Sequence, residues 1–432
     1  MTQNTFFNKQ PLDLRPDASR VVVRPFKPAT EPRDFNSTDR TRANHIVNRV
    51  LALDAATVTR QLADVLDNFR GRHRNLLEIF EARADEMGSA FRAHPSFTQD
   101  QRRLVGAYFL HEYSFEAAAL FNPSIVTHPD QTGAPEGGRR FILSLRAVGE
   151  GHISSLTFRS GVISSDGNVS LDPSARLASM PLLRAPLAPD ADRAELIFRP
   201  EEELSERVIF PVLASQSNGI EDARFVDFDE AGKRTYYATY TAYTGRSIRS
   251  ELLETRDFVT FRMSQLSGSA TINKGMALFP RKLAGKYAMI ARQDNENLYL
   301  ICSDDLYSWN GGQVILKPQF PWEFVQIGNC GSPIELDEGW LLLTHGVGPV
   351  RRYSIGAVLL DKADPTKVLA RSREPLVHPE APDREGYVPN VVYTCGAMRF
   401  NDRIILPYAV SDTFSTVATM KISALLGSLQ RC

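Results

Sequence analysis

The sequence is poor in cysteine: Cys302, Cys330, Cys395 and Cys432 are the only four in 432 residues. None forms a CxxC pair, and no histidine stands at ligand spacing from them. That pattern argues against a structural zinc site and against a disulfide framework, and no metal is expected. An excess of charge is missing too, with 50 basic and 51 acidic residues and a net charge of −1. Neither nucleic acid nor a membrane surface is therefore an expected partner, and any anion site must be a local cluster. No run of about 18 apolar residues is present, so no transmembrane helix is expected. The opening MTQNTFFNKQPLDLRPD has no basic stretch leading into an apolar one, so no signal peptide is expected either. The expected setting is cytoplasmic and reducing. GxxxxGK[ST], a strand-to-helix GxGxxG, HExxH and GxSxG are all absent. Their absence argues against a nucleotide-driven enzyme, a zincin and a serine hydrolase, and no cofactor is expected.

What is present changes character along the chain. The length suits two or three domains, or one large β architecture with an appendage. Residues 1–40 carry Pro11, Pro16, Pro25, Pro28 and Pro32 around one β-like run, Arg20–Arg24. They predict an extended arm lying on the body or on a partner subunit. Residues 41–118 space apolar side chains helically, as in Val58, Leu62, Val65, Leu66 and Phe69. About four helices are expected, with a break at His94-Pro95. The charges on them read as a solvated face. A block of this kind without a complete core of its own needs a cover, which predicts a homo-oligomer.

From residue 119 to 432 the text is strand-like. Short β-rich runs recur, among them 141–146, 236–240, 287–290, 298–301, 341–344 and 404–408. A loose phrase follows several of them: Ser164-Ser165-Asp166-Gly167, Ser303-Asp304-Asp305 and Ser411-Asp412. Strand-rich units of roughly 50 residues with a recurrent turn predict a β-propeller of about five or six blades. A pair of β-sandwiches is the competing architecture.

A propeller gathers residues distant in sequence at one channel mouth, so polar residues inside apolar strand contexts are the candidates. The first is Asp222, in Asn218-Gly219-Ile220-Glu221-Asp222-Ala223-Arg224. Strict strand alternation puts Asp222 and Arg224 on one face and Glu221 on the other. Asp305 and Asp412 also end strands, although Asp305 suits ordinary turn chemistry. Lys274, Arg292 and His345 each adjoin a strongly apolar strand. Together the three can hold an oxyanion such as phosphate.

These blocks carry a resemblance. NPSIV at 122–126, LRAVGEGHISSLTFRS at 145–160, GIEDARFV at 219–226, KGMALFPRKLAGKYAMIAR at 274–292, GSPIELDEGWLLLTHGV at 331–347 and EGYVPNVVYTCGAM at 385–398 stand in the order of the family 130 glycoside phosphorylases and hydrolases. The chain resembles that family from about 120 to about 425. The resemblance implies a mainly β fold, a five-bladed β-propeller with the N-terminal helices as an extension. It implies Asp222 as the catalytic acid, its proton reaching the glycosidic oxygen through a hydroxyl of the bound sugar. Lys274, Arg292 and His345 would bind phosphate, and Asn122, Arg146 and Asp412 the mannosyl unit; Asp305 is added as a substrate-binding candidate. Lys274 stands where the family commonly has arginine, Gln326 where it often has lysine, and Ser332 where it usually has proline.

An inverting hydrolase needs a second carboxylate to activate water. An inverting phosphorylase needs one acid and a cationic cradle, because phosphate is the nucleophile. One acid and three cation-capable residues favour phosphorolysis of a terminal β-mannoside to α-mannose 1-phosphate, with inorganic phosphate as co-substrate. The alternatives are a β-mannosidase using Glu221 or Glu385 as base, and a carbohydrate-binding propeller without turnover.

Overall fold

Runs such as Phe141–Leu143 and Leu341–Leu343 have no polar face to offer water, and both lie in strands enclosed on two sides, Arg139–Val148 and Trp340–Gly348. In the computed structural model, which describes residues 7–28, 42–87 and 97–432, the fold is mainly β with few helices. The chain divides into two compact units. One comprises Phe115–Ala175 and Met180–Cys432 with the stretch up to Ala18; the other comprises Ser19–Ser114 with Arg176–Ser179.

The larger unit is built from antiparallel groups that follow one another along the chain. Ala119–Thr127, Arg139–Val148, Ser154–Ile163 and Val169–Leu171 pair in that order. Gly219–Glu230, Lys233–Tyr243, Ile248–Thr255 and Thr260–Gln265 form a second group, joined to the first through a single parallel pairing, Gly219 with Ser154. A third spans Ala277–Leu316, and a fourth has Trp340–Gly348 and Arg352–Leu360 at its centre. In the fifth, Arg403–Val410 and Phe414–Lys421 are flanked by Phe7–Leu14. Each inter-sheet space is filled by its own apolar cluster, such as Phe158, Phe225, Phe258 and Phe261 between the first two groups.

The proline-rich arm is thus two elements. Phe7–Leu14 is an edge strand on Phe414–Lys421, its register slipping between Lys9 and Asp13, where Pro11 has no N–H to give. Val21–Pro25 instead pairs with Leu110–Ser114 in the smaller unit. That unit holds the helices Arg42–Leu51, Ala55–Asn68, Leu76–Glu86 and Gln99–Tyr108. Asp54 caps the second by accepting from the Thr57 amide, and Thr98 and Gln101 form a capping box at the fourth. Val47, Val50, Val58, Ala84, Leu104, Val105 and Phe109 pack as a core inside the unit. The helical block therefore has apolar burial of its own. The expected break at His94-Pro95 lies outside the described residues, as do residues 1–6 and 29–40 of the arm.

The loose Ser-Asp phrase has no common place in the fold. In its antiparallel pair Ile163 lies opposite Arg139, at the far end from Arg146, so Asp166 leaves the sheet away from Arg146. Asp412 leaves its sheet toward Arg146, whose charge it feels.

Candidate active site

Alternation breaks where the site is built. The strand Gly219–Glu230 slips register between Glu221 and Arg224, and Asp222 stands at φ 56°. The strand Ala119–Thr127 slips between Phe121 and Ser124, and Asn122 stands at φ 49°. Two bulges thus turn two polar side chains inward from apolar strands. Asn122 Nδ2 donates to Asp222 Oδ1 at 2.6 Å. Arg146, from the neighbouring strand, reaches Asp222 Oδ1 at 3.4 Å and Glu221 Oε1 at 2.8 Å, and its Nε donates to Ser154 Oγ at 2.9 Å. Glu221 and Asp222 therefore share one arginine. The expectation that Glu221 faces away is corrected, because a bulge adds a residue and resets the alternation.

Arg224 does lie beside Asp222, through the backbone: Nη1 donates to the Asp222 carbonyl at 2.9 Å and Nη2 to Tyr393 Oη at 2.8 Å. Tyr393 stands in the VVYTCG stretch, where nothing in the sequence marks it as a site residue. Its burial with Arg224 is visible only once the second and fifth groups meet. Asp412 follows Ser411, and both have positive φ, 47° and 48°.

The cations form the other side. Arg292, directly after the strand Tyr287–Ala291, is 5% exposed, and its Nη1 lies 3.3 Å from Nε2 of His345, which is 4% exposed. Gly328 lies opposite His345 in the sheet, and a Cβ there would sit 2.3 Å from the imidazole Cε1. Gly275 stands at φ 94°, a conformation that favours glycine, and the chain after Lys274 runs beside Arg292 and the buried amide of Asn329. Among the described residues no carboxylate pairs with Lys274 or Arg292.

The electrostatics follow from this arrangement. Burial works against the charged form of Asp222, but Arg146, Arg224 and Lys274, with the Asn122 hydrogen bond, outweigh it and hold the carboxyl below its ordinary value. Burial pushes the Asp412 carboxyl up to about 6, with Arg146 opposing and Asp222 adding to the rise. Burial, then Arg292 and Arg224, drive the His345 imidazole well below its usual range, so it is neutral at pH 7. His345 is thus a hydrogen-bonding member of the cradle, and the formal charge is that of Lys274 and Arg292.

Asn122, Arg146, Asp222 and Asp412 are brought together, as are Arg292 and His345, and Lys274 lies close enough to act on Asp222. Asp305 is not brought to this cluster. It follows the strand Leu298–Ser303, whose Ser303 pairs with Tyr287 while Tyr299 pairs with Ala291. Arg292 and Asp305 therefore leave opposite ends of one antiparallel pair. Asp305 is exposed and caps its own turn, accepting from the Tyr307 amide at 3.0 Å. Glu385 is exposed as well. Among the described residues no group of three or more His, Cys, Asp or Glu is placed to hold a metal ion.

The family model described as β-1,4-mannooligosaccharide phosphorylase matches residues 200–431, more than half of the chain. The chain belongs to this family, glycoside hydrolase family 130. It is 35% identical over 221 residues to a 1,2-β-oligomannan phosphorylase of Thermoanaerobacter sp. (strain X514), covering 49% of this chain and 73% of that protein. It is 34% identical over 230 residues to a β-1,2-mannobiose phosphorylase of Listeria innocua, covering 51% of this chain and 63% of that one. A solved β-1,2-mannobiose phosphorylase from Listeria innocua, in complex with β-1,2-mannobiose, superposes with a TM-score of 0.52 at 23% identity, over 72% of this chain and 92% of that structure. That likeness shows the fold.

Proposed function

We propose that the protein is an inverting glycoside phosphorylase that cleaves terminal β-mannosides with inorganic phosphate. The observation that carries this is Arg292, a buried guanidinium with no carboxylate partner among the described residues, beside His345 and near Lys274. A buried cation without a counter-ion is costly, and an oxyanion in this cradle supplies one. Membership of a family with mannoside phosphorylases at 34–35% identity supports the same reading.

A phosphate oxygen attacks the anomeric carbon as the bond to the glycosidic oxygen breaks. The mannosyl unit leaves as α-mannose 1-phosphate, and the acid supplies one proton to the departing oxygen. Asp222 is the acid, and Arg146, Asn122 and Asp412 hold the sugar. Asp222 is held ionised by its cationic neighbours. A phosphate dianion beside Lys274 and Arg292 offsets part of that positive field, so phosphate binding raises the Asp222 pKa toward the range an acid needs.

The antiparallel groups are, on this reading, blades of a five-bladed β-propeller, the fifth completed by Phe7–Leu14. Support comes from the five successive groups, which supply Arg146, Asp222, Arg292, His345 and Asp412, side chains that act on one another. A cytoplasmic setting and a homo-oligomer belong to the same proposal; the four cysteines are free, which suits a reducing compartment.

Glu221 beside Asp222 keeps a hydrolase reading in view, because it is a second carboxylate at the site. Incubation with β-linked mannobioses, with and without phosphate, separates the two. Phosphorolysis yields α-mannose 1-phosphate only when phosphate is present; equal release of free mannose in both arms overturns it.

A further inference from the structure

Two loops beside the cluster meet each other at its edge. Gly149–His152 joins the strand of Arg146 to the strand that begins at Ser154, the two residues bonded to each other. Tyr387 lies in the loop over Asp412: its amide donates to Thr413 Oγ1 at 2.8 Å, and the adjoining Gly386 passes so close to Ser411 that a Cβ would sit 2.6 Å from the serine Cβ. Across 235 positions of sequence, His152 Nδ1 and the Tyr387 hydroxyl are hydrogen-bonded, with ring centroids 5.8 Å apart. Both side chains are exposed, Tyr387 by 43%.

A third loop, after the strand of His345, bears on the same Asp412. Arg351 acts electrostatically on Asp412, and Val350 and Arg351 stand at φ 56° and 53°. A β-branched residue in that region is strained, and Val350 has no packing to compensate, being 88% exposed. His152, at φ 59°, shares this conformation. Backbone held this way around a cluster of functional groups is a mark of a ligand clamp.

The side of the site is informative. In an inverting displacement the nucleophile and the leaving sugar lie on opposite sides of the anomeric carbon. The cradle of Arg292 and His345 takes one side, and the loops of His152 and Tyr387 adjoin the Arg146–Asp412 side. We propose that His152 and Tyr387, with Arg351 from the loop that bears on Asp412, form the subsite for the leaving sugar, the Tyr387 ring receiving the apolar face of a pyranose. This rests on the phosphorylase reading above. An exposed ring with its hydroxyl already tied to His152 presents a fixed apolar plane at low entropic cost. Arg351 supplies donors for the sugar's hydroxyls.

The test runs the reaction in the synthetic direction, with α-mannose 1-phosphate as donor and free mannose as acceptor. Tyr387→Ala is expected to raise KM for the acceptor roughly tenfold and leave KM for the donor unmoved. Tyr387→Phe, which keeps the ring, is expected to stay within about twofold of wild type on both. An unmoved acceptor KM in Tyr387→Ala, or an equal rise in both KM values, overturns the proposal. If Tyr387→Ala does not fold, Tyr387→Leu carries the same expectation. Phosphate-independent release of mannose by the wild type overturns the phosphorylase reading and not this one. In that event calorimetric binding of β-mannobiose to Asp222→Asn, with and without Tyr387→Ala, decides: weaker binding to the double variant supports the subsite, and equal Kd values overturn it.

Discussion

Asp222 combines two conditions that pull apart, a buried carboxyl and a surrounding of arginine and lysine that keeps it ionised. Its substitution separates chemistry from binding. Asp222→Asn is expected to lower kcat by roughly 10²- to 10⁴-fold, the usual worth of a placed acid. KM for phosphate is expected to stay level or fall, because a negative charge near the cradle is gone; initial rates against phosphate concentration check both. Asp412 gives a prediction of opposite character. Its folded pKa of about 6 lies above the ordinary 3.8, so between those values the folded protein holds a proton that the unfolded chain has released. Stability contributed by this group therefore rises as pH falls from above 6 toward 4. Above pH 6 the ionised, buried carboxylate destabilises the fold by on the order of 2–3 kcal/mol. Asp412→Asn is expected to melt higher than wild type at pH 7.5 and to lose that advantage near pH 4, while losing activity at both. At this scale the residue types were legible: an acid beside an arginine, and cations beside apolar strands. The orientation of Glu221 was not, because alternation is a rule for regular strands and the bulge at Asp222 suspends it. Nor was the neutrality of His345, which depends on burial and on Arg224, more than a hundred positions away.

Strands and helices carry the next layer. Gly328 is a glycine because the His345 ring occupies the space its Cβ would take. Gly328→Ala is expected to displace that ring, raise KM for phosphate several-fold and cost about 1–3 kcal/mol of stability from overpacking. Kinetics with varied phosphate and a denaturant melt on the same protein measure the two effects. The strands themselves could be read from β-rich runs: each of the six named falls inside an observed strand, from Arg139–Val148 to Arg403–Val410. Phe7–Leu14 could not, because Pro11 and alternating polar residues disguise an edge strand as an arm. The Ser-Asp phrase misled for a related reason. Short polar turns follow strands at either end of a sheet, and composition does not say which end. Asp305 was drawn toward the site by that resemblance alone.

For the whole molecule, the antiparallel pair Val21–Pro25 and Leu110–Ser114 brings entry to and exit from the smaller unit side by side. That unit also has a core of its own. Replacing residues 19–114 with a short Gly-Ser linker is therefore expected to leave the larger unit folded. Deleting residues 1–110 is expected to do more damage, because it also strips Phe7–Leu14 from Phe414–Lys421 and leaves a bare strand edge. Thermal melts and solubility of the two proteins should rank in that order.

The pairing of Leu14 with Ser415 spans about four hundred residues, and it sets a timetable for synthesis. At roughly 5–20 residues per second, Phe7–Leu14 leaves the ribosome some 20 to 80 s before its partner strand is made. The helices between them have time to fold in that interval, while this strand stays unpaired. A chain stalled before residue 414 therefore displays an open β edge at one end and an unfinished sheet at the other, a species for chaperones to hold.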